Sequence, residues 1–415
     1  MKLFCDLHLH SKYSSATSKF MDLPEMSRYA HLKGVKLLGT GDCLHLRWRE
    51  HLEASLVRDG PSDLYRMPRD GPQTLFLPSA EISCEESAAG WSGWKVHLLL
   101  LFPSLKEAGT VSRSLFRYAS DITNGRPTLQ IHPSDAVKCV KDACQDAIII
   151  AAHAWTPWFG LYGSRGGFDS IHDAFKDEYK HIDAIETGLS STPDMSRLLR
   201  ELDGYPIVSF SDAHNPLNIG REATALSING QYVDKFPTYY DIKKSLRQPL
   251  FTIEFFPQEG KYHWDGHRKC GYSCDPHTSR TMGNHCPKCG KKLTIGVQHR
   301  VEKLADRREP EGVPKFHYHV PLVEILSRSL GRKPTDPLVQ NLYQRYVSAA
   351  GNEFKLMYSL PCGELEEIVS ERVLESVKRI RSGNVEVTPG YDGVYGEVKL
   401  WEENGKPKQR ELFGE

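Results

Sequence analysis

Histidines and acidic residues fall at the ends of short apolar runs along the first half of this chain. His8 and His10 close the first run, and their i, i+2 spacing turns both imidazoles to one side of a strand. Asp42 follows the second run, Glu81 lies near the end of the third, and His97 sits on the fourth. His153 ends the fifth, Glu186 the sixth, and Asp212 with His214 the seventh. A single histidine at a strand end is ordinarily a satisfied structural residue. Successive strands that each deliver a His, Asp or Glu are different, because parallel strands collect their carboxyl ends on one face. Imidazoles and carboxylates crowded there repel or stay unsatisfied unless cations lie between them. A mixed nitrogen and oxygen donor set suits Zn²⁺, Mn²⁺ or Fe²⁺ better than Mg²⁺ alone.

The elements that must position these groups are legible as alternation. Strands are predicted over Leu3 to His10, Val35 to Asp42, Leu75 to Ser83, Lys95 to Phe102, Ala147 to His153, Ile182 to Thr187 and Ile207 to Asp212. Helical patterns fall between several of them, at Pro24 to Lys33, Asp135 to Ala143 and Pro193 to Leu202. Repeated strand-then-helix units imply an α/β fold on a parallel sheet, and periodicity alone does not separate a barrel from a doubly wound sheet. The 415 residues allow two or three domains. Three are expected: 1–255 with the chemistry, a basic region at 256–333, and a C-terminal region at 334–415. The last contains a helical pattern at Gly363 to Arg381 and a strand-like end around Tyr391 to Trp401. Formal net charge is zero, so any nucleic-acid-binding surface must be local. No apolar run approaches the roughly 18 residues of a membrane span, and an intracellular, cytoplasmic protein is expected.

Four of the ten cysteines cluster as Cys270-x3-Cys274 and Cys286-x2-Cys289. Two thiolate pairs eleven residues apart fit a tetrahedral structural Zn²⁺ site, and Cys286-Pro287-Lys288-Cys289-Gly290 has the form of a knuckle. Between Lys261 and Lys333 there are 15 Lys and Arg against 7 Asp and Glu, an excess that suits phosphate contact. Lys291 and Lys292 are the candidates for that contact.

These residues carry a family resemblance. Asp6-Leu7-His8-Leu9-His10, Thr40-Gly41-Asp42, Ala80-Glu81-Ile82, Val96-His97-Leu98, Ala152-His153-Ala154, Ile185-Glu186 and Ser211-Asp212-Ala213-His214 resemble, in order, the motifs of the polymerase-and-histidinol-phosphatase (PHP) superfamily. The resemblance implies a distorted seven-stranded α/β barrel that hydrolyses phosphoesters with two or three metals. It further implies that His8, His10, Glu81 and Asp212 hold one metal, and that Glu81 bridges to a second held by His97 and His153. His214 and Asp42 would serve a third. Two departures bear on that third site: Gly41-Asp42-Cys43 replaces the usual Thr-Asp-His, and no acidic or His ligand follows the opening motif around Lys12 to Ser15. Cys43 and His45 are possible substitutes. Clustered cations would yield a hydroxide nucleophile near neutral pH and neutralise phosphate oxygens. Asp212, His8 and Glu81 are thus the expected catalytic residues, with Glu186 supporting them from behind.

The barrel motifs, the ribbon and Pro389-Gly390-Tyr391-Asp392-Gly393-Val394-Tyr395-Gly396 together resemble the endonuclease Q family along nearly the whole chain. The resemblance implies a monomeric, nucleoid-associated DNA repair enzyme. It would cut on the 5′ side of uracil, hypoxanthine, xanthine or an abasic site, with ribbon and active-site zinc and with Mg²⁺ or Mn²⁺ for catalysis. Beyond His153 lies Trp155-Thr156-Pro157-Trp158-Phe159, whose aromatics Trp155, Trp158 and Phe159 are candidates to stack on a flipped base. Gln409, Leu412 and Phe413 near the C-terminus partly resemble a sliding-clamp-binding peptide. Two other readings compete: a small-molecule phosphatase resembling histidinol phosphatase, and a non-catalytic DNA-binding scaffold on a degenerate barrel.

Overall fold

The computed structural model describes residues 2–68, 74–88, 91–228 and 237–401, so the clamp-like peptide at 409–413 lies outside the described residues. Local signals explain where the helices fall. Helix Leu23–Lys33 starts where the Asp22 side chain accepts from Glu25 N–H and stops at Gly34, whose φ of 92° lets the backbone turn off the helix. Helix Pro133–Ala143 begins at His132 with proline in its first turn, where a missing N–H costs nothing.

Two sheets enclose one apolar interior. The eight-stranded sheet runs Phe316–His319, Phe251–Phe255, Ala223–Ser227, Lys2–Asp6, Leu37–Gly39, Leu75–Leu77, Tyr65–Arg66, Val57–Arg58. The seven-stranded sheet runs Ile207–Val208, Ala184–Glu186, Ile148–Ala151, Trp91–Leu101, Ser79–Ala88, Thr128–Leu129, Ala119–Asp121. Leu75–Leu77 passes through Pro78 straight into Ser79–Ala88, carrying the chain from one sheet to the other. At the opposite seam Ser209 N–H donates to Thr224 Oγ1 at 3.0 Å. Leu7, Leu37, Leu77, Leu99, Ile150, Val208 and Leu226, drawn from both sheets, pack into one buried cluster between them.

The expected single parallel sheet of seven strands is therefore corrected to a mixed pair. Lys2–Asp6 runs antiparallel to Ala223–Ser227, and Ser79–Ala88 antiparallel to Trp91–Leu101. Only two residues separate the latter strands, a link too short for a parallel crossover. Parallel pairing survives between Lys2–Asp6 and Leu37–Gly39 and along Ile148–Ala151, Ala184–Glu186 and Ile207–Val208. The predicted helix from Pro193 shortens to Pro193–Ser196, followed by a 3₁₀ turn at Arg200–Leu202.

The basic region leaves the large sheet after Phe251–Phe255 and returns as Phe316–His319, which pairs beside it in parallel. In between, Asp265–His267 and Tyr272–Cys274 form a short hairpin. Helix Val297–Leu304 is pinned to the first domain through Arg300, which donates to the carbonyls of Tyr162 and Phe168. Helices Leu322–Leu330, Pro337–Ala350, Cys362–Ile368 and Glu371–Ser382 share a second core, the predicted 363–381 helix being broken at Val369 and Ser370. The strand-like end is a small pair, Glu386–Thr388 with Glu397–Lys399. Lys33 Nζ meets Glu353 Oε2 at 2.8 Å with both side chains buried, tying this core to helix Leu23–Lys33. Among the described residues no helix is long and apolar enough to cross a membrane.

Candidate active site

The strand ends place His8, His10, Glu81, His97, His153 and Asp212 around one point. Their backbones are laced together: Leu9 bridges Ala213, His10 N–H donates to Ala213 O, and Ala152 N–H donates to His97 O. Asp6 stitches the opening strand to the closing segment by accepting from Ser211 N–H and Gly220 N–H, and burial lifts its pKa to about 6.

Glu81 is the hub. Its Oε1 lies 2.7 Å from His97 Nδ1, 2.8 Å from His153 Nε2 and 3.6 Å from His8 Nε2. Its Oε2 lies 3.3 Å from His10 Nε2. Asp212 Oδ1 is 3.1 Å from His10 Nε2 and 3.7 Å from His8 Nε2. The far sides of the first two imidazoles are occupied. His8 Nδ1 meets both oxygens of Glu186 at 3.0 Å, and His10 Nδ1 meets Asp42 Oδ1 at 3.2 Å. A carboxylate behind an imidazole fixes its tautomer and aims the other nitrogen inward.

The inward-facing atoms His8 Nε2, His10 Nε2 and Asp212 Oδ1 are buried and make no hydrogen bond, their contacts with one another and with Glu81 being close but misaligned. Three donor sets each bring their atoms within 4.8 Å of one another: His8, His10 and Glu81; Glu81, His97 and His153; and His10, Asp212 and His214. Buried polar atoms of this kind demand a partner, and nitrogen and carboxylate donors at this spacing fit divalent cations. The electrostatics agree. Burial opposes charge on His8, yet Glu186, Asp212 and Glu81 outweigh it and hold its pKa well above the ordinary value. The carboxylates thus favour positive charge at this point. His97 goes the other way, pushed down to about 4 by burial.

Asp42 is placed differently from the expectation. Its Oδ2 accepts from Ser11 N–H, Ser11 Oγ and Ser14 Oγ at 2.7, 2.6 and 2.9 Å, and Oδ1 faces His10. So bonded, Asp42 orients His10, and it stands outside the three donor sets that converge here. Neither expected substitute reaches the site: Cys43 is buried in the core, and His45 caps helix Leu46–Ser55 by accepting from Trp48 N–H. His214 does approach, its ring 4.3 Å from that of His10.

Three non-glycine residues here adopt the left-handed backbone region: Asp42 at φ 48°, His153 at φ 30° and Asp212 at φ 46°. Their side chains turn into the site because the chain kinks at the strand end.

The aromatics divide. Trp155 is fully buried, stacked on Tyr162 at 4.8 Å and bonded through Nε1 to Ser196 Oγ, so it is a core residue and not a base-stacking one. Trp158 remains partly exposed, edge-on to Tyr262 at 4.4 Å, and Phe159 stacks on His97 at 4.8 Å. Phe159 thus lies beside the cluster, and Trp158 against the basic region.

In the ribbon the grouping also differs from the spacing argument. His267, Cys270, Cys286 and Cys289 converge within 4.8 Å, with Cys289 Sγ 3.4 Å from His267 Nδ1. Cys274 stands on the hairpin strand opposite Asp265 and packs with Leu293 instead. A Cys₃His set suits tetrahedral Zn²⁺ as well as four thiolates do. The knuckle is as expected, Gly290 N–H donating to Cys286 O at φ 70°. Lys291 and Lys292 are exposed beside it.

Comparison with known proteins now has a geometry to meet. Residues 321–384 match the family model described as the MJ0043 C-terminal domain. The uncharacterized protein MJ0043 of Methanocaldococcus jannaschii is 31% identical over 271 residues, 63% of this chain, and the match spans 33% of that protein's length. The Bacillus subtilis protein YqxK is 27% identical across 96% of this chain and 99% of its own length. The lesion-specific endonuclease PfuEndoQ of Pyrococcus furiosus superposes with TM-score 0.84 at 29% identity, covering 99% of this chain and 98% of that one. Over nearly its whole length the chain is similar in fold and in sequence to endonuclease Q. Endonuclease Q bound to a 27-mer duplex with an abasic lesion at its active site matches likewise, with TM-score 0.83 over 99% of this chain and all of that chain.

Sequence reasoning missed three residues of this face and one of the ribbon. Ser11 and Ser14, which hold Asp42, and Arg126, which donates to Glu81 Oε2, lie in loops without periodicity, and nothing in their local sequence marks them. His267 had a signal, since His267-x2-Cys270 mirrors Cys286-x2-Cys289.

Proposed function

We propose that this chain is a metal-dependent DNA repair endonuclease that hydrolyses the phosphodiester on the 5′ side of deaminated bases (uracil, hypoxanthine, xanthine) and of abasic sites. The observation that carries the reading is the full-length match to endonuclease Q in complex with abasic duplex DNA. The donor cluster supplies the chemistry such a reaction needs, and a small-molecule phosphatase has no use for the basic ribbon region.

In this reading His8, His10, Glu81 and Asp212 hold one divalent ion, and Glu81, His97 and His153 a second. Bound there, the ions would make water nucleophilic near neutral pH and neutralise charge on the phosphate. The chain's own residues do the rest. Glu186 and Asp42 lock His8 and His10 with their Nε2 atoms inward. Asp212, partly exposed at the mouth, is placed to orient the attacking water. Trp158 and Phe159 offer aromatic faces to an extruded base or to the gap it leaves. His267, Cys270, Cys286 and Cys289 hold a structural Zn²⁺, and Lys291 and Lys292 face the phosphate backbone.

Labelled duplexes carrying uracil, hypoxanthine, xanthine, an abasic site or no lesion test the reading, each incubated with protein and Mg²⁺ or Mn²⁺. Metal-dependent nicking 5′ to the lesions, with the undamaged duplex spared, is expected. Hydrolysis of small phosphomonoesters without nicking would replace the reading with the phosphatase one.

A further inference from the structure

The rim of the cluster at residues 122–127 carries no ligand motif, yet it is fastened on every side. Gly125 N–H donates to Tyr13 O at 3.0 Å, Ser15 N–H to Asn124 Oδ1 at 3.2 Å, and Asn124 Nδ2 to Ser15 Oγ at 3.1 Å. Arg126 N–H also donates to Asn124 Oδ1, and Ser83 N–H donates to Pro127 O. Gly125 lies so close to Asp42 Oδ2 and Ser14 Oγ that a β-carbon has no room there. This fixed loop delivers one cation. Arg126 Nη1 donates to Glu81 Oε2 at 3.1 Å, the same oxygen that faces His10.

How the guanidinium is used is informative. A structural Arg–carboxylate pair typically closes both parallel N–H···O bonds of the fork. Here one N–H is spent on Glu81, Nη2 and Nε make no hydrogen bond among the described residues, and the side chain keeps 29% of its surface exposed. Arg221, by contrast, is turned onto the carbonyls of Ser211 and Asp212. On this side of Glu81 the neighbouring donors are His10, Asp212 and His214, and none of them bonds to the guanidinium. Asp42 accepts from Ser11 and Ser14 and faces His10, Cys43 is buried in the core, and His45 caps a helix by accepting from Trp48 N–H. Phosphodiester hydrolysis builds negative charge on the non-bridging oxygens, and a planar fork held at the mouth of the cluster matches two such acceptors.

We propose that Arg126 is a catalytic residue that grips a non-bridging oxygen of the scissile phosphate through its Nη2–Nε edge while Nη1 stays on Glu81. The assignment rests on the DNA-hydrolysis reading and deepens it. It makes positive charge at this point a property of the chain itself, independent of how many ions bind.

The test compares wild type with Arg126→Ala and Arg126→Lys, each carrying its own metals, on abasic duplexes whose scissile linkage is an ordinary phosphodiester or a neutral methylphosphonate. Turnover of Arg126→Ala on the ordinary linkage is expected to fall about 100-fold or more, the scale for removing one transition-state donor. Added guanidinium ion should restore part of it, and Arg126→Lys, which keeps the charge without the fork, should lie between. In binding, the neutral linkage should cost wild type roughly tenfold more affinity than it costs Arg126→Ala, because the two changes remove the same contact. Metal content and Tm near the wild-type values tie the loss to that contact. Equal weakening of both proteins by the neutral linkage, with lost turnover following lost metal, would show that Arg126 only balances the charge of Glu81. That result overturns the proposal while leaving the DNA reading intact. A wild-type protein inert towards every damaged duplex overturns the DNA reading, and the assignment falls with it.

Discussion

The cluster under the strand ends and the knuckle of the ribbon are both groups of metal-fit donors, built in opposite ways. The first draws His8, His10, Glu81, His97, His153 and Asp212 from across two hundred residues, buries most of them, and braces them with Glu186 and Asp42. The apolar interior beneath it, from Leu7 to Leu226, closes without help from those donors. The second takes His267, Cys270, Cys286 and Cys289 from one short stretch, over a core of little more than Cys274, Cys286 and Leu293. A site standing on a complete core can be spent on chemistry. A site that substitutes for a core is a staple.

Substitutions can break or sharpen that contrast. The largest expected effect is at the cluster: Asp212→Asn or His8→Ala abolishes nicking, a loss of ~1,000-fold or more given the rate effects of removing central catalytic groups, while lesion-duplex binding largely survives. Near wild-type turnover with intact metal content would make the proposed centre wrong. Glu186→Gln, which leaves His8 in place but weakens its brace, should reduce activity or metal affinity by about 10- to 100-fold, the usual cost of an outer partner. Titrating metal against activity checks it, and an unshifted curve removes Glu186 from the mechanism.

At the ribbon the readout changes from rate to stability. Cys286→Ser with Cys289→Ser should lose about one zinc equivalent, consistent with one structural site, and lower Tm or DNA affinity. His267→Ala should do the same and Cys274→Ser should not, as zinc analysis of the variants shows directly. If Cys274→Ser alone loses the zinc, the four-thiolate grouping expected from spacing is right and the His267 grouping is wrong. The smallest effect belongs to the exposed lysines: replacing Lys291 and Lys292 together should flatten the dependence of log affinity on log salt by about 0.9 per lost phosphate contact. Discrimination among lesions should change little, and an unchanged slope places the ribbon away from the duplex.

The parts of the site legible in the sequence are those governed by period. Strand alternation put His8 and His10 on one side, and strand order carried Glu81, His97, His153, Asp212 and His214 to one face, where all of them are found. The rest depends on contacts that no local pattern encodes. Asp42 belongs to the matching motif, but whether its oxygens face an ion or a hydroxyl was decided by Ser11 and Ser14, which nothing distinguished from other loop serines. Trp155 and Trp158 read alike in sequence, three residues apart, and only tertiary packing sent one into the core. Cys274 matched a spacing rule, yet in the group that converges His267 holds the fourth place. Two strands of the fold also went unread: Ala223–Ser227 is short with small side chains, and Phe251–Phe255, although it alternates apolar with polar, lies at the expected domain boundary; both flank the opening strand's side of the large sheet.

The left-handed turns at Asp42, His153 and Asp212 have a consequence for what selection can do with this molecule. Each holds a side chain in a backbone region that costs a non-glycine residue on the order of 1 kcal/mol. Gly188, packed against His153, leaves that turn no room to relax. Glycine at any of the three positions would ease the chain and delete the group that the turn exists to present. Thermal robustness and turnover therefore pull against each other at these sites, and a more heat-resistant relative must find its added stability elsewhere, in the core or at the helix ends, while these three kinks stay as they are.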